Sequence, residues 1–191
     1  MIAKKRKNSR RSDYAMTGND FITKNKLKKY MVRDDGRCWL YVIMARLGMY
    51  NAKPKRGLSR PDDPSNEERA IAQNICENMA FEFPDIVKEP DYNGQRPESD
   101  FMGTYGGLEH WQALTERLPI AVVLWDPRRD GKIMKNPKEK FWMIENIHGK
   151  GILRQKSAEE INLTIARLPQ DVSVVHVAWS NTIEAHFDLF M

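Results

Sequence analysis

The sequence predicts an α+β domain, with helices mostly in the first half and a mixed or antiparallel sheet packed between them. Three observations lead there. The nearly continuous apolar run at 39–49 is too long for a typical strand and reads as a buried helix. Ser65-Asn66-Glu67-Glu68 and Ser157-Ala158-Glu159-Glu160 place a capping residue before acids, the signature of a helix start. Apolar stretches of strand length follow at 120–125, 141–144, 152–153, 172–179 and 185–190.

Taken in order, residues 1–12 read as a disordered basic tail and 13–191 as a single domain. Residues 13–33 read as lightly structured, with Leu27, Tyr30, Met31 and Val32 able to pack as the chain enters the Asp-Gly turn. The helix at 39–49 contains no proline and only Gly48. Residues 51–64 read as a surface loop, rich in Pro, Lys, Arg and Asp. The second helix opens at Ser65, runs to about Phe83 and stops at Pro84. Its apolar stripe reads as Ala70, Ile71, Ile75 and Met79, interrupted by Asn74. A polar connection covers 84–100. Gly106-Gly107 precedes a third helix at 108–118, which Pro119 ends. Asp126 to Gly131 reads as a hairpin-type turn, and the helix opened by Ser157 ends before Pro169. A turn at Ser180-Asn181 joins the last two strands.

The chain has 191 residues, enough for one hydrophobic core, and 41% of them are hydrophobic, which argues against global disorder. No apolar run approaches the length of roughly 20 residues that a bilayer-crossing helix needs, so a soluble protein is expected. Two cysteines, Cys38 and Cys76, make a poor disulfide framework. Free thiols in a reducing compartment such as the cytoplasm are expected instead. With four histidines and no paired ligand spacing, no structural metal is expected.

The net charge of +5 is unevenly distributed. Residues 1–33 carry eleven Lys/Arg and two Asp, so the remaining 158 residues are net acidic by about four charges. The basic segment comprises Lys4-Lys5-Arg6-Lys7, Arg10-Arg11, and the lysines from Lys24 to Lys29. It reads either as a nuclear-import or nucleic-acid patch or as a solvated terminus. Without interleaved aromatics the case for nucleic acid is weak.

The chemistry concentrates at two places. Asp34-Asp35-Gly36-Arg37-Cys38 puts one cysteine just after a tight turn and at the mouth of a helix. There the helix dipole and the first N–H groups favour a thiolate and can hold an oxyanion. Cys76, inside an amphipathic helix, reads as a small core residue. At the far end, His186 and Asp188 are two apart on a strand and so share a face, while Phe187 and Leu189 point to the other. A carboxylate so placed can fix the tautomer of an imidazole that exchanges protons with a thiol. His176 has no acid on its own strand face. His110 on a helix and His148 before Gly149 read as packed or surface histidines.

These blocks, together with Tyr105-Gly106-Gly107-Leu108-Glu109-His110-Trp111 ahead of an apolar strand, resemble the ovarian-tumour (OTU) family of deubiquitinating cysteine proteases. The blocks occur in the family's order across residues 30–191. The terminal His186-Phe187-Asp188 is similar to viral and bacterial members in particular. The resemblance implies a papain-type fold, with Cys38 as nucleophile, His186 as general base and Asp188 as its orienting acid. It assigns Asp35 to the oxyanion region, and Gly36, Arg37, Tyr105, Gly106 and Gly107 to the oxyanion and substrate channel. Arg37, Trp39, Val42 and Tyr105 depart from the family's usual residues, which bears on substrate preference and oxyanion geometry.

The implied activity is hydrolysis of isopeptide bonds at the C-terminal glycine of ubiquitin, with ubiquitin or polyubiquitin as partner and no cofactor. It would take place in the cytoplasm, or in a host cytosol if the protein is delivered by a pathogen. Alternatives are a protease of the same fold acting on another ubiquitin-like modifier or a polyprotein, and a catalytically idle ubiquitin-binding module.

Overall fold

A computed structural model describes residues 15–33, 37–54, 63–82, 108–126, 133–180 and 186–191. The expected basic tail, the connection 84–100 and the turn at 127–131 lie outside these residues. In chain order the elements are α1 (Gly18–Lys24), β1 (Lys29–Met31), α2 (Cys38–Arg46), β2 (Lys53–Pro54), α3 (Asn66–Glu82) and α4 (Leu108–Arg117). Then follow β3 (Ile120–Trp125), a 3-10 turn (Ile133–Lys135), β4 (Lys140–Ile147), β5 (Lys150–Ser157), α5 (Ala158–Ile165), β6 (Ser173–Ser180) and β7 (His186–Phe190).

The seven strands form one mixed sheet in the order β2-β1-β7-β6-β3-β4-β5. Only β3 and β6 run parallel; the other pairs are antiparallel. The α+β expectation therefore holds, and the period-2 alternation of β3 shows how the layers form. Val122 and Leu124 enter the core with α2, α3 and α4. Ala121, Val123 and Trp125 enter a second core with α1 and α5. A strand covered on both faces has no solvent side, which is why 120–125 is apolar throughout.

Several boundaries match their sequence signals. Ser157 Oγ accepts the N–H of Glu160 while Glu160 accepts that of Ser157, a reciprocal cap opening α5. Ser65 and Glu68 do the same at α3. His148 and Gly149 both have positive φ, 54° and 80°, which closes the β4–β5 hairpin with the twist such two-residue turns require. At Gly151 an added Cβ would lie 2.2 Å from the carbonyl oxygen of Gln112, so glycine lets α4 approach β5.

Three expectations are corrected. Residues 13–33 are not lightly structured: Thr17 and Asp20 form a capping box that opens α1, and β1 pairs with both β2 and β7. The 51–64 stretch contributes β2 rather than loop alone. The buried face of α3 is Ala72, Cys76 and Met79, with Ala70 and Asn74 exposed. Ile71, Ile75 and Met79 of the expected stripe do pack on the core, Ala72 and Cys76 join them, and of that stripe only Ala70 and the interrupting Asn74 face solvent. Cys76 is core-facing, as expected.

The helix that carries Cys38 is apolar all round, with every residue from Cys38 to Ala45 buried. It packs against β7 and α3, and Trp39 meets His110 of α4 with ring centroids 4.9 Å apart. Such a helix is the interior of the domain rather than its surface.

Candidate functional site

Cys38 is the first residue of α2, and Arg37 is its N-cap, without a side-chain capping bond. The Arg37 carbonyl accepts the N–H groups of Leu40 and Tyr41, at 2.9 and 3.0 Å. The Cys38 N–H precedes those bonds, at the helix N-terminus, which favours negative charge. Cys38 is a free thiol and is 1% exposed.

His186 opens β7, about 150 residues later in the chain. This strand lies inside the sheet, between β1 and β6. Phe187 and Leu189 anchor it in the core shared with α2, and Trp111 meets Phe187 edge-on at 5.5 Å. His186 and Asp188 occupy the alternate positions, as the spacing requires. His186 Nε2 lies 3.0 Å from Asp188 Oδ1, and the Cys38 sulfur lies close enough to the imidazole to favour its charged form.

The electrostatics follow from those contacts. Burial works against a charged ring at His186, but the hydrogen-bonded Asp188 carboxylate and the neighbouring Cys38 sulfur outweigh it. The pKa rises to about 10, so the ring is an imidazolium at neutral pH. Burial likewise works against charge on Asp188, yet the His186 hydrogen bond and the Lys29 ammonium hold its carboxyl below the usual carboxylate range. An imidazole beside a sulfur at a helix N-terminus is the juxtaposition on which thiol nucleophiles are built.

Asp188 also has two partners that the sequence reading missed. The Val32 N–H donates to Oδ1 at 3.1 Å, and Lys29 Nζ lies 2.7 Å from Oδ2. In the sequence Lys29 is one more member of a basic run. A signal was present in the β-prone Tyr30-Met31-Val32 that follows it, but the identity of the neighbouring strand was not.

Of the other expected site residues, Asp35, Gly36, Tyr105, Gly106 and Gly107 lie outside the described residues, and Arg37 stands beside Cys38 as the N-cap. Of the competing histidines, His110 is buried and His176 is half-buried. His176 accepts a hydrogen bond from Trp125 Nε1 at 3.3 Å, and burial pushes its pKa down to about 4. His110 is packed against Trp39 and is also lowered to about 4 by burial.

Comparison with family models, with curated proteins and with solved structures gives no match. Among the described residues no group of side chains could hold a metal ion, and no helix is long and apolar enough to cross a membrane. What the arrangement can do chemically therefore rests on its own geometry: a sulfur at a helix N-terminus, an imidazolium against it, and a buried carboxylate holding the ring.

Proposed function

We propose that the protein is a thiol hydrolase of the ovarian-tumour type, with the papain-type arrangement the resemblance implies, and that it cleaves isopeptide bonds at the C-terminal glycine of ubiquitin. The observation that carries this reading is the meeting of Cys38, His186 and Asp188 from opposite ends of the chain. The net acidity of residues 34–191 adds support, since it complements ubiquitin's basic tail.

The chemistry follows the charges. The Cys38 thiolate attacks the glycine carbonyl carbon, forming a C–S bond while the π pair moves to oxygen. First-turn N–H groups of α2 take the developing oxyanion. The C–N bond then breaks as the His186 imidazolium gives its proton to the departing lysine amine, leaving a thioester. Water attacks the thioester as the now neutral His186 accepts its proton. The C–S bond breaks, restoring the thiolate and imidazolium, and the released carboxylic acid gives its remaining proton to solvent and departs as the carboxylate.

A ubiquitin probe carrying a thiol-reactive C-terminus is expected to label the protein, and Cys38→Ala to abolish labelling. Labelling that persists and moves to Cys76 overturns the nucleophile assignment. Digestion of linkage-defined diubiquitins tests turnover and preference together.

One observation favours a second reading, a ubiquitin-binding module that does not turn over: Cys38 is only 1% exposed. Measured ubiquitin binding, with neither probe labelling nor cleavage, would select it.

A further inference from the structure

We propose that Lys29 is a positioning residue of this site, the counter-ion that keeps Asp188 ionised and aimed at His186 while the imidazole is neutral. The inference deepens the hydrolase reading and rests on it for the reaction, though not for the electrostatics.

The geometry starts from strand register. In the antiparallel β1–β7 pair, Lys29 lies opposite Phe190 and Tyr30 opposite Leu189. Lys29 is therefore the diagonal neighbour of Asp188 on the same face, within reach of a long side chain. A slip of one residue would turn the lysine to the other face. The register is held beyond the strand by reciprocal hydrogen bonds between the backbones of Lys28 and Met191. Lys29 Nζ then meets Oδ2 at 2.7 Å, while Oδ1 serves the Val32 N–H and His186 Nε2. Both carboxylate oxygens are thus occupied, and the acid has no freedom to rotate away from the ring.

The charge balance explains why a cation belongs there. Asp188 is 5% exposed, and a buried carboxylate without a cation is costly. While His186 is an imidazolium, the ring itself balances the charge. Once the ring has given its proton to the leaving amine, that balance is gone. The ammonium remains, so Asp188 stays an acceptor for the Nε2–H and does not take that proton. The neutral ring keeps the tautomer whose lone pair faces the sulfur and the incoming water. Among the described residues, the charged or titratable groups facing Asp188 are Lys29 from β1 and His186 from its own strand; His186 also faces Cys38 from α2.

The test compares wild-type protein with Lys29→Met, Lys29→Gln and Lys29→Arg. Two readouts are used: iodoacetamide alkylation of Cys38 against pH, localised by mass spectrometry, and diubiquitin cleavage. Removing a cation raises the proton affinity of every neighbour. The acid limb of alkylation is therefore expected to move to higher pH in Lys29→Met and Lys29→Gln and to stay in place in Lys29→Arg. Cleavage should fall about tenfold in Lys29→Met and recover in Lys29→Arg. In an Asp188→Asn background, Lys29→Met should cost little more, since the charge it serves is gone.

An alkylation profile of Lys29→Met that superimposes on wild type overturns the inference; if that variant does not fold, the same outcome in Lys29→Gln, which keeps a donor, does so. A wild-type protein inert to ubiquitin whose variants still shift the profile would defeat the hydrolase reading and leave the role of Lys29 standing.

Discussion

The three described histidines in or near the core of this protein share a chemistry and differ in fate. His110 and His176 are held neutral, with pKa values lowered to about 4, while His186 is held charged, with its pKa raised to about 10. Burial pushes all three the same way. The difference is what stands beside the ring: Trp39 at His110, Trp125 and Phe21 at His176, but a carboxylate and a thiol at His186. Partners, not depth, separate a packed histidine from one able to do proton chemistry.

The sharpest way to break this contrast is to remove each ring. His186→Ala is expected to reduce diubiquitin turnover by roughly 10⁴-fold or more, as loss of a proton-transferring member does in such constellations. His110→Phe and His176→Phe should leave turnover within a few-fold of wild type, measured on protein shown to be folded. Asp188→Asn should cost roughly a hundredfold or more, because the ring loses its orienting acceptor. If His176→Phe lost as much activity as His186→Ala, the division of roles would be wrong.

The two classes also predict opposite pH dependences of stability. A raised pKa at His186 means its contribution is fully present below 6.5, the unfolded value, and is lost as pH rises toward about 10. The melting-temperature difference between wild type and His186→Ala should shrink across that interval. For His110 and His176 the sign reverses: the folded state resists protonation, so destabilisation grows as pH falls from 6.5 toward about 4. Replacing either ring with phenylalanine should flatten that acid limb in thermal melts.

A smaller effect is expected from the hydrogen bond at His176. In His176→Phe the buried Trp125 N–H loses its acceptor, which should cost about 1–3 kcal/mol in urea unfolding at pH 7.

The smallest effect concerns the basic segment. Deleting residues 1–12 removes six Lys/Arg and should leave turnover unchanged, whereas one charge lost at Lys29 should not. Loss of all activity on the deletion would mean that the tail, and not only Lys29, serves the site.

Much of this was legible in the chain itself. The helix starts at Ser65 and Ser157, the buried strand 120–125, the glycine-bearing hairpin and the shared face of His186 and Asp188 all follow from local rules of capping, period and turn geometry. These depend on a few neighbouring residues, so a single sequence carries them. On α3 the stripe holds at Ile71, Ile75 and Met79, but whether Ala70 or Ala72 faces the core depends on how the helix packs against α2, which local periodicity does not fix. The stretch 13–33 reads as only lightly structured because β1 is three residues long and is held in place by β7, from the other end of the chain.

What the sequence determined alone was which residue types sit at which local geometry: a thiol at a helix mouth, and an imidazole two residues from a carboxylate. Tertiary structure alone decided that these groups meet, that His110 and His176 pack beside aromatic rings, and that Lys29 reaches Asp188. The reason is physical. Capping and strand alternation act over a few residues, whereas the charge state of a ring is set by whatever the folded chain brings within hydrogen-bond distance, whether two residues away or about 150.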